Sequence, residues 1–205
     1  MTRIGLIADI HGSAAQLQQA LEILTHHAAD LILCAGDLVD GDDQPEEVIN
    51  SLQTHEIPCV QGNHDSDKVS AARRGKHDSR LSVQSIDYLE ALPHSYSLHI
   101  EGKKLLLIHA TPWHNGIHVF SYSGRVLLDQ VVNQAGDAEI IVLGHTHEPM
   151  VIRYRERWIL NSGSVHKNRF EDQSTCGVLD IPTMEFQVLE LASGQPVSKP
   201  TIYLS

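Results

Sequence analysis

Short apolar runs alternate with amphipathic stretches along the first sixty residues. Residues 3–8, 31–35 and 57–60 read as buried strands. Between the first two, residues 13–27 carry Leu17, Ala20, Leu21 and Leu24 at helical spacing, with Ser13 as a candidate N-cap. Residues 45–55 form a second helical stretch, opening on Pro45 with Glu46 and Glu47 suited to a helix N-terminus. This β-α-β-α-β order predicts a parallel sheet with right-handed crossovers. Beyond it the pattern changes. Residues 84–91 read as a short helix, and 97–100 and 104–108 as strands flanking Glu101-Gly102-Lys103, a tight hairpin signal. Residues 124–135 repeat the helical period and 139–143 form a strand. Strands at 149–155, 157–161, 176–181 and 184–191 follow, the last two joined by Pro182-Thr183, so the C-terminal part reads as mostly antiparallel. The expected class is α/β: one domain over residues 1–205, with two mixed sheets packed face to face and helices outside.

Composition narrows the function. The 205 residues are 41% hydrophobic, spread along the length, which excludes a disordered chain. No apolar run approaches the roughly 20 residues of a membrane span. The opening residues hold one basic side chain and a short apolar run before Asp9, unlike a secretory signal. Cys34, Cys59 and Cys176 show no C-x-x-C pairing, so free thiols in a cytoplasmic protein are expected, with Cys34 and Cys59 in the core. The formal net charge of -11 speaks against a face built to grip a nucleic-acid duplex. The 14 histidines nearly equal the 15 Lys and Arg together, and histidine is the commonest metal ligand. His26, His27, His55 and His77 read as ordinary surface residues, and Asp42-Asp43 with Glu46-Glu47 as a solvated face.

Five segments carry the chemistry, each following an apolar strand: Asp9-Ile10-His11-Gly12, Gly36-Asp37-Leu38-Val39-Asp40, Gly62-Asn63-His64-Asp65, His109-Ala110, and Gly144-His145-Thr146-His147. Loops at the carboxyl ends of strands in an α/β sheet converge, so these side chains can meet. In extended backbone, the pairs Asp9/His11 and His145/His147 would point the same way and chelate together. Glycine before Asp37, Asn63 and His145 permits tight turns. Carboxylate, imidazole and amide oxygen without thiolate favour Mn, Fe, Zn or Ni in a five- or six-coordinate site over structural zinc. The ligands are too many for one ion, and Asp37 is the natural bridge between two.

In this order the blocks DxHG, GDxxD, GNHD, a lone histidine and GHTH resemble the signature of the calcineurin-like metallophosphoesterases. The Asn161–Ser164 stretch is similar to the compact bacterial and archaeal phosphodiesterase branch, with Ser162 where those members usually carry proline. The resemblance implies a four-layer α-β-β-α sandwich holding two divalent ions, with manganese expected. It implies Asp9, His11 and His147 on one ion, Asn63, His109 and His145 on the other, and Asp37 between them. It implies that His64 contacts the phosphate and protonates the leaving oxygen, with Asp65 orienting that imidazole and Asp40 behind. Hydroxide made from a shared water would then attack in line, with no covalent enzyme intermediate.

Other readings stay open. The basic residues of segment 66–80, Arg73 and Arg74 among them, either form a mobile substrate rim or a solvated loop. Trp113 either stacks on a substrate ring or packs, and His114 is a candidate phosphate contact. A small phosphoester is the expected partner, without membrane or stable nucleic-acid complex; a homo-oligomer is compatible with the sequence. The alternatives are a phosphomonoesterase acting on phosphoproteins, nucleotides or small metabolites, and a non-catalytic scaffold like the retromer subunit of this fold. That subunit lacks the histidine this chain keeps at His64.

Overall fold

The computed structural model describes residues 2–42, 44–167 and 173–197, and the backbone of 201–204. Ten strands and five helices follow one another among them. β1 (Arg3–Ile7) pairs in parallel with β2 (Leu31–Cys34), joined by α1 (Ala14–His26). α2 (Pro45–Thr54), α3 (Asn63–Arg73) and α4 (Val83–Ala91) follow. β3 (Ser95–Ile100) and β4 (Lys103–Ile108) form the hairpin expected at Gly102. α5 (Arg125–Gln134) leads to β5 (Ile140–Leu143), and β6 (Pro149–Tyr154) and β7 (Arg157–Ser162) form a second hairpin. β8 (Thr175–Asp180) and β9 (Glu185–Glu190) form a third, and β10 (Thr201–Leu204) ends the order.

The strands build two mixed sheets, β2-β1-β8-β9 and β10-β6-β7-β5-β4-β3. Three apolar layers hold them. On β1, Ile4 and Leu6 face the six-stranded sheet, meeting Leu105, Leu107, Ile140, Val142 and Leu160. Ile7 faces the other way, toward Leu17, Leu21 and Leu24 of α1 and Val48 and Leu52 of α2. On the far side of the six-stranded sheet, Leu128, Val131 and Val132 of α5 cover Ile141, Leu143 and Ile159. The order is therefore helices, sheet, sheet, helix.

Four sequence expectations change. Residues 57–60 form no strand: Cys34 N–H donates to Pro58 O at 2.9 Å and Val60 N–H to Cys34 O at 3.1 Å. The pairing then stops at an isolated bridge between Cys34 and Cys59. Pro58 has no N–H to extend a ladder. The C-terminal half is less antiparallel than its hairpins suggest, because β4, β5 and β7 pair in parallel at the centre of their sheet. β8 returns to the other sheet and lies antiparallel to β1. Segment 66–80 is no loop throughout, since α3 runs to Arg73. Only Val69, Ala72 and Asp65 of α3 are buried, so it shows no apolar stripe to read. Ser13 precedes α1 without a side-chain capping bond.

α1 lies so close to β1 that a Cβ on Gly5 would come within 2.9 Å of Leu24 Cδ1. Gly5→Val is therefore expected to overpack this layer and cost about 1–3 kcal/mol, read as a lower urea midpoint with unchanged slope.

Candidate metal centre

The parallel strands aim their carboxyl ends at one cleft. The loop after β1 brings Asp9 and His11, and the loop after β2 brings Asp37 and Asp40. The start of α3 brings Asn63 and His64, the end of β4 brings His109, and the loop after β5 brings His145 and His147. Ligand atoms of Asp9, His11 and His147 lie within 4.8 Å of one another, as do those of Asp37, His109 and His145, and those of His11, Asp37 and His64. Asn63 Oδ1 is 3.0 Å from His109 Nε2.

The backbone that aims them is left-handed, where extended backbone was expected. Asp9 has φ 53°, His11 49°, Asp37 54°, Asp40 77°, His145 67° and His147 58°. Non-glycine residues in this region are uncommon, cost energy and cluster at functional sites. The neighbouring glycines serve closeness: a Cβ on Gly62 would fall 2.0 Å from Asp37 Oδ1, and one on Gly144 3.0 Å from Asp9 Oδ2.

The imidazoles are oriented by carbonyls. His11 Nδ1 lies 2.7 Å from Asp40 O, His109 Nδ1 2.7 Å from Ala35 O, and His147 Nδ1 3.0 Å from Lys167 O. A carbonyl only accepts, so each Nδ1 carries a proton and each Nε2 is the ring atom turned inward. His11 Nε2 and His147 Nε2 then face each other at 3.1 Å. His109 Nε2 faces Asn63 Oδ1, and Asp37 Oδ2 at 3.3 Å. Acceptors opposed this closely repel, and a cation among them turns each into a ligand. This donor set fits divalent metal. The electrostatics show what a cation here would displace, a second proton that the carboxylates draw onto His109. Burial pulls His109 down, but Asp37 and then Asp9 outweigh it and lift the group to about 9. Burial would raise Asp37, yet His109, His11 and His64 hold it well below the usual carboxylate range. His11 is lowered, mainly by burial.

Around this centre the structure redistributes several roles. Asp65 is fully buried and accepts from the backbone N–H of Leu38 at 2.8 Å, Val39 at 3.2 Å and Gly62 at 2.9 Å. It braces two loops, and burial followed by Asp37 lifts its carboxyl to about 6. The carboxylate on His64 Nδ1 is instead Asp40 Oδ2, at 2.9 Å, with Lys68 Nζ 3.1 Å from Asp40 Oδ1. Arg73 is bound to Asp87 and Glu90 on α4. It ends α3, and Arg74 caps it, about 15 Å along the helix from His64. Trp113 packs against the α5 layer, and His114 Nδ1 accepts from Gly116 N–H at 2.9 Å within a turn. Sequence reading gave Ser13 only a capping role, yet its buried Oγ donates to Asp42 Oδ2 at 2.6 Å and meets His166 Nδ1 at 2.7 Å. Sequence reading passed over His118, whose ring lies against that of His145. The aromatic alternation His118, Phe120, Tyr122 was its available signal.

A sequence model of the calcineurin-like phosphoesterase superfamily domain matches residues 2–184. The chain belongs to this superfamily. Among its relatives is a probable metallophosphoesterase of Methanothermobacter thermautotrophicus, 28% identical over 96% of this chain and 95% of that protein. The phosphodiesterase YfcE of Escherichia coli K12 is 25% identical over 88% of each. In fold the chain is also similar to Vps29 of Entamoeba histolytica, solved with zinc, at a TM-score of 0.56 and 20% identity over 95% of each chain. Family and relatives indicate a metal-dependent phosphoesterase. No described helix is long and apolar enough to cross a membrane.

Behind the centre of this superfamily member, buried Asn161 donates to Gly144 O at 2.8 Å and to Thr146 Oγ1 at 3.1 Å, and accepts from Gly163 N–H at 2.8 Å. Asn161→Ala strands these groups. It is expected to lower stability by about 1–3 kcal/mol in urea unfolding and to weaken manganese binding at least about tenfold by calorimetry.

Proposed function

We propose that this protein hydrolyses phosphodiesters with two divalent ions, manganese foremost, with iron, nickel or zinc as substitutes. The observation that carries this reading is the position of Asp37. Its Oδ2 stands 3.9 Å from His11 Nε2 and 3.3 Å from His109 Nε2, so one carboxylate borders both ligand groups. Asp9, His11 and His147 would hold one ion, and Asn63, His109 and His145 the other. When bound, such ions neutralise the phosphoryl oxygens and acidify the attacking water.

The chain's own groups supply the rest. His64 stands at the cleft with its side chain 39% exposed, which leaves it open to substrate. Asp40 holds its Nδ1, so Nε2 is the atom that gives a proton to the leaving oxygen. Burial would raise Asp40, but His64 and Lys68 outweigh it and lower its carboxyl below the usual range. His64 N–H also donates to Asp37 Oδ1 at 2.9 Å, tying the acid to the shared ligand. The hydroxyls nearby are committed elsewhere: Ser164 Oγ donates to Asp9 O at 2.8 Å, and Ser13 Oγ to Asp42. No nucleophilic side chain is required.

The presence of a phosphodiesterase among the relatives supports the diester reading over the monoester one. The likeness to Vps29 is one of fold, and a scaffold has no use for an imidazole held by a carboxylate beside the ligands.

Manganese-loaded protein is expected to release p-nitrophenolate from bis(p-nitrophenyl) phosphate, and excess EDTA to abolish this. Turnover that survives EDTA would overturn the reading. His64→Ala should take up manganese normally, by metal analysis, yet hydrolyse roughly 10²–10⁴-fold more slowly. Asp37→Asn should lose both metal and activity. Full activity of His64→Ala on every substrate tried would remove the proton-donor role.

A further inference from the structure

A run of aromatic rings leads out of the cleft from the candidate metal centre. The ring of His118 lies against that of His145, centroids 4.2 Å apart and planes inclined by 40°. Phe120 stacks on His118 at 5.5 Å and 9°, and Tyr122 on Phe120 at 5.0 Å and 4°. Carbon atoms of touching rings sit about 3.5–4.0 Å apart. Near-parallel rings with these larger centroid distances are displaced sideways, so each leaves part of its face uncovered.

The strip is anchored. Its intervening residues, Val119 and Ser121, are buried, at 2% and 8% exposure. Val119 enters the apolar layer under α5, and Ser121 Oγ donates to Glu148 Oε1 at 3.3 Å, next to His147. Of the three rings, His118 and Phe120 are half-buried and Tyr122 is exposed. Tyr122 is 68% exposed, and Val126 in the first turn of α5 is 76% exposed. These are two of the three exposed large hydrophobic side chains among the described residues. Phe, Trp and Tyr make up only 5% of the chain, so placing two of them ring on ring in one partly exposed strip beside the cleft is no accident of composition. Exposed apolar surface next to a polar site marks a ligand contact.

We propose that His118, Phe120 and Tyr122 form a stacking subsite for the base of a nucleotide, which makes nucleotide phosphoesters the substrate class of this cleft. The inference rests on the phosphoesterase reading above and adds the substrate's second point of attachment. The phosphate takes the ligand cluster and the base lies across the uncovered ring faces beside it. Stacking uses the π-face that every base has, so the subsite accepts all bases with little discrimination. Base–aromatic stacking is worth a factor of about 5–150 in affinity.

The test compares two phosphate monoesters that differ only by a base, adenosine 5′-monophosphate and ribose 5-phosphate, by calorimetry on manganese-loaded protein. The nucleotide is expected to bind at least about fivefold more tightly. In the double variant Phe120→Ala, Tyr122→Ala this advantage should fall below about twofold, with ribose 5-phosphate affinity and manganese content unchanged. A metal-free arm uses saturation-transfer NMR with adenosine: the base protons should be saturated by wild type and lose that signal in the double variant. Equal affinities in wild type, or an advantage that survives in the variant, would overturn the subsite. If ribose 5-phosphate binds and the diester is hydrolysed without any gain from the base, only the subsite falls. If neither phosphate binds and no diester is cleaved, the phosphoesterase reading falls with it.

Discussion

Backbone carbonyls of Ala35, Asp40 and Lys167 decide the character of the cleft. By accepting from the Nδ1–H groups of His109, His11 and His147, they turn the Nε2 atoms toward one another and toward Asp37. The cleft therefore presents acceptors facing acceptors and is completed by positive charge. Lys68, the basic side chain beside Asp40, is 3.0 Å from Asp78 as well. That engagement keeps ammonium charge with the outer carboxylates and leaves the inner acceptors to a cation. In an acidic protein this is how an anionic substrate is attracted: locally, by what the cleft holds.

Holding those acceptors in place costs backbone strain, and the surrounding structure offsets it. The left-handed residues after β1 and β2 are tied to each other: Asp9 N–H donates to Gly36 O at 2.9 Å, Ile10 N–H to Asp37 O at 2.8 Å and Gly12 N–H to Leu38 O at 2.9 Å. Asp65 adds its three backbone bonds beneath. Where relatives of the compact branch are expected to carry proline, Ser162 sits in a loop held by side-chain bonds. Thr175 Oγ1 donates to Ser162 O at 2.7 Å, and Asn161 and Ser164 fasten the residues on either side. A network of hydrogen bonds replaces a rigid ring.

Sequence patterning shows the elements with strong periodicity and the ligand types at their ends. α1, α2 and α5 each bury a stripe of aliphatic residues, and the hairpins announce their turns. α3 escaped because its stability comes from docking and from Asp65 reaching back to Gly62, with hardly any apolar residue to betray it. The 57–60 run was apolar enough for a strand but carries Pro58. The candidate ligands were legible as residue types after strands, while the mode of aiming them was not, since left-handed φ leaves no mark in residue spacing. Asp40 and Asp65 were interchanged for a similar reason. Adjacent position suggested that Asp65 serves His64, but a helix turns it 100° per residue, away from the cleft and into the protein.

The origin of the donors matters for the molecule as a whole. Asp9, His11 and Asp37 hang from the four-stranded sheet, whereas His109, His145 and His147 hang from the six-stranded one. Elsewhere the sheets adhere through packed aliphatic side chains. A cation shared across the seam acts as a rivet. Loading would then change the mechanical coupling of the two halves, and the lifetime of the folded chain in a cell would follow the supply of the metal that fills it.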